Sequence, residues 1–166
     1  MKLATLMEYA KHKDGTYVSM DLNEDCRQLL DHFVEMNLGL TERVDPSTYH
    51  ITLIYSRTPV PSAESYIGLS TTSTASVAGY EVFPTKNDGH CLVMRLKFPF
   101  AELMNNKLTA EGATSDYTEY KPHLTIAYDM SQELDPSTLA VPQFPLTFGP
   151  IKVAPLDPEF TPENKK

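Results

Sequence analysis

Short stretches in which apolar and polar residues alternate recur along the chain, and a period of two residues is typical of a half-buried β-strand. Such stretches are rich in β-branched and aromatic residues. The predicted strands are TYVSMDL (16–22), YHITLIYS (49–56), GYEVFP (79–84), HCLVMRLKF (90–98), PHLTIAYD (122–129) and PLTFGPIKVA (145–154). The sequence NDG (87–89) predicts a tight turn that joins the third and fourth strands in a hairpin.

Apolar residues at helical spacing predict helices over 2–11, 24–38 and 100–112. Asn23 lies where a side chain could cap the second helix, and Gly39 and Gly112 predict the ends of the second and third helices. In the second helix the helical spacing is followed by Cys26, Leu29, Leu30, Phe33, Met36 and Asn37. Strands outnumber helices and the hairpin favours antiparallel pairing, so the pattern predicts an α+β fold.

One motif occurs twice. HITLIY, at 50–55, returns 73 positions later as HLTIAY, at 123–128. Each half contains a strand, then a helix, then the strand with the motif, over 16–56 in the first half and over 90–129 in the second. The helices of the two halves are similar in length. This order indicates an internal duplication of one α+β unit, with a period longer than that of solenoid repeats.

The length of the chain, 166 residues, suits one domain or two small lobes that share a core. We expect one bilobal domain over 1–160, in which two mainly antiparallel sheets face each other across a cleft and the helices lie outside. A pseudo-twofold axis would relate the two lobes. Residues 161–166 are expected to form a disordered tail.

The repeated motif carries the candidate chemistry. Residues i and i+2 of a strand share a face, so His50 lies beside Thr52, and His123 beside Thr125. Two histidines can cleave a phosphodiester if one deprotonates the nucleophile and the other protonates the leaving oxygen. Two hydroxyls can donate to the non-bridging oxygens as charge builds up. A single HxT in a strand is usually structural, but two copies in the same apolar frame favour a catalytic site.

The other histidines and the cysteines predict no further site. His12, His32 and His90 lack the repeated frame and are expected to be structural or solvated. Two histidines without nearby carboxylates make a poor ligand set, so neither a metal nor another cofactor is expected. Cys26 and Cys91 have no metal-binding or disulfide spacing, which favours free, buried thiols.

The net charge of −8 argues against a surface that binds long nucleic acid, but it allows a small anionic ligand in a local basic pocket. No apolar run approaches the roughly 20 residues that a membrane span needs. The N-terminal sequence has no secretory pattern, because Glu8 and Lys11 interrupt it. These features predict a soluble, intracellular protein.

The paired motifs HIT (50–52) and HLT (123–125) resemble those of the two-histidine (2H) phosphoesterase superfamily. That resemblance implies HxT motifs on facing strands of a bilobal α+β fold, and metal-independent hydrolysis of phosphodiesters. The surrounding segments, over about 10–160, are similar to the phage anti-CBASS nucleases. These segments are MEYAKHKDGTYVSMDL, YHITLIYSR, the GYEVFP–NDG–CLVMRL hairpin and YKPHLTIAYD. This family degrades the cyclic di- and trinucleotide messengers of bacterial immunity, which implies a small cyclic oligonucleotide as substrate and the host cytoplasm as location.

The resemblance also implies residue roles. Tyr17, in GTYV, falls on an aromatic residue that stacks on a base of the cyclic nucleotide. The catalytic positions fall on His50, Thr52, His123 and Thr125.

Near the C-terminus the family has an acidic residue that reads a base edge and, six residues later, a stacking tryptophan. This chain has no Trp. Phe160 takes the stacking position and Ala154 the acidic one, with Asp157 or Glu159 as alternative acids. Stacking is therefore expected to be kept, while the base selectivity stays open.

Additional contacts with a nucleotide can be expected from residues near the motifs. Base stacking on an aromatic ring contributes roughly 1–3 kcal/mol, and Tyr17, Phe160 and Tyr80 are candidates for it, with packing as the alternative role. Arg57, just after the first motif, and Lys121, just before the second, are candidates for positive charge at the rim of the cleft. Such charges are more often simply solvated.

Three other functions compete with an immune-messenger hydrolase. The first is a 2H enzyme that opens 2′,3′-cyclic phosphates at RNA ends, which the net charge disfavours. The second is a sponge that binds cyclic nucleotides without cleaving them, although binding alone does not need two proton-transfer groups. The third is a plain interaction domain, which the repeated motif disfavours. The oligomeric state stays open.

Overall fold

The structure, a computed structural model, describes Met7 and residues 10–160. The predicted tail over 161–166 lies outside these residues, and so does most of the predicted helix over 2–11. Met7, Ala10 and Lys11 are helical.

All six predicted strands are present in the described residues, and so are the second and third predicted helices. The strands are β1 (Thr16–Leu22), β2 (His50–Ser56), β3 (Ser76–Pro84), β4 (His90–Lys97), β5 (His123–Met130) and β6 (Phe148–Pro155). The helices are α1 (Glu24–Asn37) and α2 (Pro99–Ala110). The strand predicted to begin at residue 79 begins earlier, because Ser76 pairs with Lys97 and extends the ladder.

The strands form two three-stranded sheets, in the orders β2-β1-β6 and β3-β4-β5. All neighbouring strands are antiparallel. β2 and β5 are edge strands of their sheets and contact each other. The two copies of the repeated motif therefore meet where the sheets meet. The predicted α+β fold with two facing antiparallel sheets is confirmed.

The apolar residues within the repeated motifs form the centre of a single core. Ile51 and Leu53 of β2 are fully buried, as are Leu124 and Ile126 of β5. The ring of Phe98, which precedes α2, stacks on that of Phe148 in β6, with centroids 5.3 Å apart. Phe98 directly follows β4 of one sheet, and Phe148 belongs to β6 of the other, so the two sheets share one hydrophobic core.

The helical spacing of α1 does not coincide with its buried face. Leu29 and Met36 face the solvent, with 54% and 67% of their surface exposed, because the core accommodates only a narrow stripe of this helix. The buried stripe consists of Cys26, Leu30 and Val34. Asn23 occupies the N-cap position without a side-chain cap, and its side-chain amide nitrogen donates to Thr147 Oγ1. Among the described residues, no helix is long and apolar enough to span a membrane.

Candidate active site

The partly exposed face of β2 and β5, here called the cleft face, carries the polar pairs of the repeated motif. His50 and Thr52 are partly exposed on β2, and the residues between and after them are buried. His123 and Thr125 show the same alternation on β5. Since β2 and β5 contact each other, all four side chains lie on two strands that meet between the sheets.

Both histidine rings are oriented by the same local hydrogen bond. His50 Nδ1 lies 2.6 Å from the carbonyl oxygen of Thr48, and His123 Nδ1 lies 2.9 Å from that of Lys121. A carbonyl oxygen only accepts, so each Nδ1 carries the hydrogen and donates it. The Nε2 atom of each ring is then the nitrogen that gains or loses a proton, as a general acid or base requires.

A β-bulge interrupts each of the two histidine strands at the equivalent residue. In β2, Thr52 pairs with Ser19 and Ile54 with Val18, which leaves Leu53 without a partner in the register. In β5 the same shift falls on Ile126, between Thr125 and Ala127. Each bulge lies three residues after the histidine, so the duplication extends to this irregularity.

The carbonyl groups of the two bulges accept hydrogen bonds from the opposite half of the chain. The buried amide of Asn105, in α2, donates to the Leu53 carbonyl over 2.7 Å. The backbone N–H of Val44, between α1 and β2, donates to the Ile126 carbonyl over 2.8 Å. These reciprocal bonds fix β2 and β5 relative to each other, and therefore the two histidines.

The bulge in β2 brings a further aromatic residue to the cleft face. A bulge shifts the alternation of faces, so Tyr55 turns toward the side of Thr52 instead of the core. Tyr55 is 38% exposed, and its ring centroid lies 6.2 Å from that of Tyr17. The equivalent Tyr128 packs partly against the hydrophobic core. Tyr55 had no predicted role, although a tyrosine stands at this position in both motifs.

Tyr17 lies on β1 against the first motif. Its phenolic oxygen is 2.9 Å from Thr52 Oγ1, and its ring meets that of His50 edge-on, with centroids 6.5 Å apart. Burial raises the pKa of the Tyr17 phenol, so the hydroxyl stays protonated at neutral pH. Ala154 of β6 is the cross-strand neighbour of Tyr17. The structure thus brings the predicted stacking residue together with His50 and Thr52.

Charged residues occupy the cross-strand positions next to the two histidines. Asp21 pairs with His50 in the β1–β2 register, and its carboxylate lies 3.0 Å from Lys152 Nζ on β6. Arg95 pairs with His123 in the β4–β5 register, and its guanidinium forms an ion pair with Glu81 of β3. None of these four charged residues was a candidate in the sequence, because their proximity depends on strand register.

The environment of His123 favours its neutral form. Burial lowers the pKa of the His123 imidazole, and electrostatic repulsion from the nearby Arg95 and His50 lowers it further. The hydrogen bond to the Lys121 carbonyl and the carboxylate of Glu81 act in the opposite direction without reversing the shift. His123 is therefore neutral at neutral pH.

Arg57, Lys121 and Phe160 are the remaining predicted binding residues. Arg57 forms a two-pronged ion pair with Asp116, at 3.0–3.1 Å, and stacks over the Tyr55 ring. It follows His50 by seven residues, a distance of roughly 20 Å along an extended strand. Lys121 contributes its carbonyl to His123, and its side chain is exposed. Phe160 is 72% exposed, beyond the end of β6. Their contacts with a substrate stay predictions.

Several residues outside the cleft have structural environments. The ring of Tyr80 packs against the hydrophobic core, and its hydroxyl donates to the Ala140 carbonyl. His12 is fully buried, with Nε2 2.7 Å from Glu64 Oε1. Cys26 and Cys91 are free and buried, as expected, and burial raises the pKa of the Cys91 thiol to about 11. Among the described residues, no cluster of three or more His, Cys, Asp or Glu side chains could hold a metal ion.

A bilobal fold in which two related sheets bring HxT motifs together is the fold of the 2H phosphoesterases. The protein TT0787 of Thermus thermophilus superimposes with a TM-score of 0.54 at 18% identity, over 84% of this chain and 83% of that one. Escherichia coli LigT complexed with 3′-AMP superimposes with a TM-score of 0.50 at 16% identity, over 86% and 94% of the two chains. These neighbours confirm the fold that the paired motifs predict.

Sequence comparison places the chain more narrowly. The profile of the family described as "Anti-CBASS protein Acb1" matches residues 14–163. The Acb1 protein of Vibrio phage KVP40 is 31% identical over 129 residues, which cover 78% of this chain and 80% of the relative. That of Enterobacteria phage T4 is 29% identical over 126 residues, or 75% and 79% of the two chains. The chain belongs to the Acb1 family of anti-CBASS proteins.

Proposed function

We propose that the protein is a metal-independent phosphodiesterase that hydrolyses the 3′,5′ bonds of cyclic di- and trinucleotide messengers, such as 3′,3′-cGAMP. Degrading these messengers in the cytoplasm of the infected host would allow a phage to evade CBASS immunity. Membership of the Acb1 family and the 2H phosphoesterase fold support this function. The observation that carries it is the matched pair of histidines, each with Nδ1 bonded to a backbone carbonyl and Nε2 available for proton transfer.

The first step cleaves the 3′,5′ bond. The Nε2 atom of the neutral histidine removes the proton of the 2′-hydroxyl, whose oxygen then attacks the adjacent phosphorus. As the new P–O2′ bond forms, the bond from phosphorus to the 5′-oxygen breaks. The protonated histidine donates its proton to that leaving oxygen. The products are a 2′,3′-cyclic phosphate and a free 5′-hydroxyl, and the two histidines have exchanged protonation states.

The second step opens the cyclic phosphate with the roles exchanged. The histidine that is now neutral takes a proton from water, whose oxygen attacks phosphorus. The histidine that is now protonated donates to the 2′-oxygen as the P–O2′ bond breaks. A 3′-phosphate results, and both histidines return to their starting states, which closes the cycle without any other co-reactant.

The hydroxyl groups of the motifs complete the site. Thr52 and Thr125 each follow a histidine by two residues, so they can donate to the non-bridging phosphate oxygens on which charge accumulates. The hydrogen bond between Tyr17 and Thr52 restricts the Thr52 hydroxyl. The neutral ring of Tyr17 offers a stacking surface for a base, and the small side chain of its neighbour Ala154 leaves room beside it.

The substrate is tested with a panel of ligands incubated with the protein in EDTA and separated by chromatography. The panel contains 3′,5′-cyclic di- and trinucleotides and an RNA with a 2′,3′-cyclic end. Linear products from the cyclic nucleotides are expected. Cleavage of the RNA end alone would contradict the proposed substrate and favour RNA-end processing.

A parallel sample distinguishes an enzyme from a sponge. After incubation with a cyclic nucleotide the protein is denatured by heat and the released nucleotide is identified. An enzyme releases linear product, whereas a sponge returns the intact ring. Recovery of all of the nucleotide in cyclic form, after binding has been demonstrated, would overturn the proposed activity.

A further inference from the structure

The two halves of the site differ in the charge next to each histidine. The pairs Asp21–His50 and Arg95–His123 occupy equivalent positions in their ladders. In each ladder the charged residue lies two positions after the residue that pairs with the threonine of the motif. Side chains at directly opposed positions have Cβ atoms roughly 4.5–5.5 Å apart. The duplication therefore places a carboxylate beside one imidazole and a guanidinium beside the other.

Opposite charges beside two otherwise similar rings favour opposite protonation states. A carboxylate stabilises a charged imidazolium, whereas a guanidinium stabilises the neutral imidazole. The partners of these charges moderate the contrast: Lys152 holds Asp21, and Glu81 holds Arg95. Neither ion pair is fully buried, so solvent screens both.

We propose that Asp21 and Arg95 are positioning residues that divide the catalytic roles, so that His50 is the general acid and His123 the general base when the 3′,5′ bond breaks. The 2′-hydroxyl of the substrate then faces His123 on β5, and the leaving 5′-oxygen faces His50 on β2. The inference rests on the proposed function, since it assigns roles within that reaction. The lowered pKa of His123 supports the assignment, because the base must begin the step without a proton.

Charged and titratable groups surround each histidine ring. His123 faces Arg95 of β4, Glu81 of β3 and His50 of β2. His50 faces Asp21 and Tyr17 of β1, with Lys152 of β6 bound to Asp21, and it lies opposite His123 of β5. Replacing either member of the Arg95–Glu81 pair should therefore shift the pKa of His123 in a direction set by the charge that is removed.

The first test needs no substrate. NMR titration of the His123 ring is carried out on the native protein, Arg95→Gln and Glu81→Gln. Arg95→Gln removes a positive charge and should move the His123 titration to higher pH, whereas Glu81→Gln removes a negative charge and should move it to lower pH. A purely structural role would not produce shifts of opposite sign. Equal titrations in all three proteins, or shifts in the same direction, would overturn the inference.

The second test identifies the acid by its leaving group. A substrate with sulfur in place of the bridging 5′-oxygen releases a thiolate, which needs no proton from the enzyme. His50→Ala should lose about 10²–10⁴-fold in rate on the oxygen substrate and recover most of that loss on the sulfur substrate. His123→Ala should be slow on both. Because Asp21 acts through the general acid His50, Asp21→Asn should also lose less rate on the sulfur substrate than on the oxygen substrate.

Recovery of His123→Ala in place of His50→Ala would reverse the assignment. The two tests also separate this inference from the proposed function. If the native protein cleaves no cyclic nucleotide, the proposed function fails, but the titration still decides whether Arg95 and Glu81 control His123. If the native protein cleaves and His50→Ala does not recover, only the role assignment fails.

Discussion

The side-chain amide of Asn105 donates a hydrogen bond of 2.7 Å to the carbonyl of Leu53, the bulged residue of β2. Asn105 belongs to the second half of the chain and Leu53 to the first. The reverse bond, from Val44 N–H to the Ile126 carbonyl, joins the halves at the equivalent bulge of β5. The two histidine strands are thus held together at the points where their own ladders are interrupted.

Replacing Asn105 should weaken both the fold and the site. Asn105→Ala leaves the buried Leu53 carbonyl without its donor, which costs about 1–3 kcal/mol of unfolding free energy. The turnover rate should also fall, because the bulge follows directly after Thr52. Urea unfolding and initial rates measure the two effects. The adjacent, exposed Asn106 provides the control, and an Asn105→Ala protein as stable and active as Asn106→Ala would contradict this role.

The two parts of the Tyr17 side chain should contribute separately. Tyr17→Ala removes the stacking ring and should weaken cyclic-dinucleotide binding by about 1–3 kcal/mol, or roughly 5- to 150-fold in Kd. Tyr17→Phe keeps the ring and loses only the bond to Thr52, so its Kd should change less. Calorimetry in a His123→Ala background measures binding without turnover. Equal Kd values for Tyr17→Ala and native Tyr17 would rule out stacking on this ring.

The pH dependence should reflect two coupled histidines. One ring must be neutral and the other protonated, so the profile of kcat/KM should be bell-shaped. Because the pKa of His123 is lowered, the acidic limb should lie below the ordinary histidine range near 6.5. Rates measured across the acidic and neutral range in EDTA give the profile. A rate that rises steadily with pH and requires Mg²⁺ would exclude the two-histidine scheme.

The attacking group can be tested in the substrate. A cyclic dinucleotide without either 2′-hydroxyl should resist cleavage, because no internal nucleophile remains. One that lacks a single 2′-hydroxyl should open only at the linkage next to the remaining hydroxyl, so it serves as the matched control. Mass spectrometry of the linear products identifies the opened bond. Normal cleavage of the fully deoxy compound would mean that water attacks directly.

Much of the fold could be predicted because alternation of apolar and polar residues survives in the strands. The bulges could not, since Leu53-Ile54 and Ile126-Ala127 are consecutive apolar residues that strict alternation would place on opposite faces. All four are buried. Leu29 of α1 follows the helical spacing and yet faces the solvent, because helical spacing marks a buried face only where another element packs against it.

Some residues of the candidate site could likewise be predicted from the sequence, and others could not. His50 and His123 were identifiable because the chain repeats them in the same frame, and a repeat is visible without a structure. Asp21 and Arg95 belong to strands that differ in sequence and meet the histidines only through register. Tyr55 required the bulge to reach the cleft face. Residues set by pairing and bulges are therefore the part of the site that only the structure provides.

The most direct test of the account is the cleavage of 3′,3′-cGAMP in EDTA by the native protein, His50→Ala and His123→Ala, with thermal unfolding as the check on folding. The native protein should release linear product, and each variant should be slower by about 10²–10⁴-fold while unfolding near the native temperature. Near-native turnover by either folded variant would contradict the assignment of that histidine. An intact cyclic ring after incubation with the native protein would contradict the proposed activity itself.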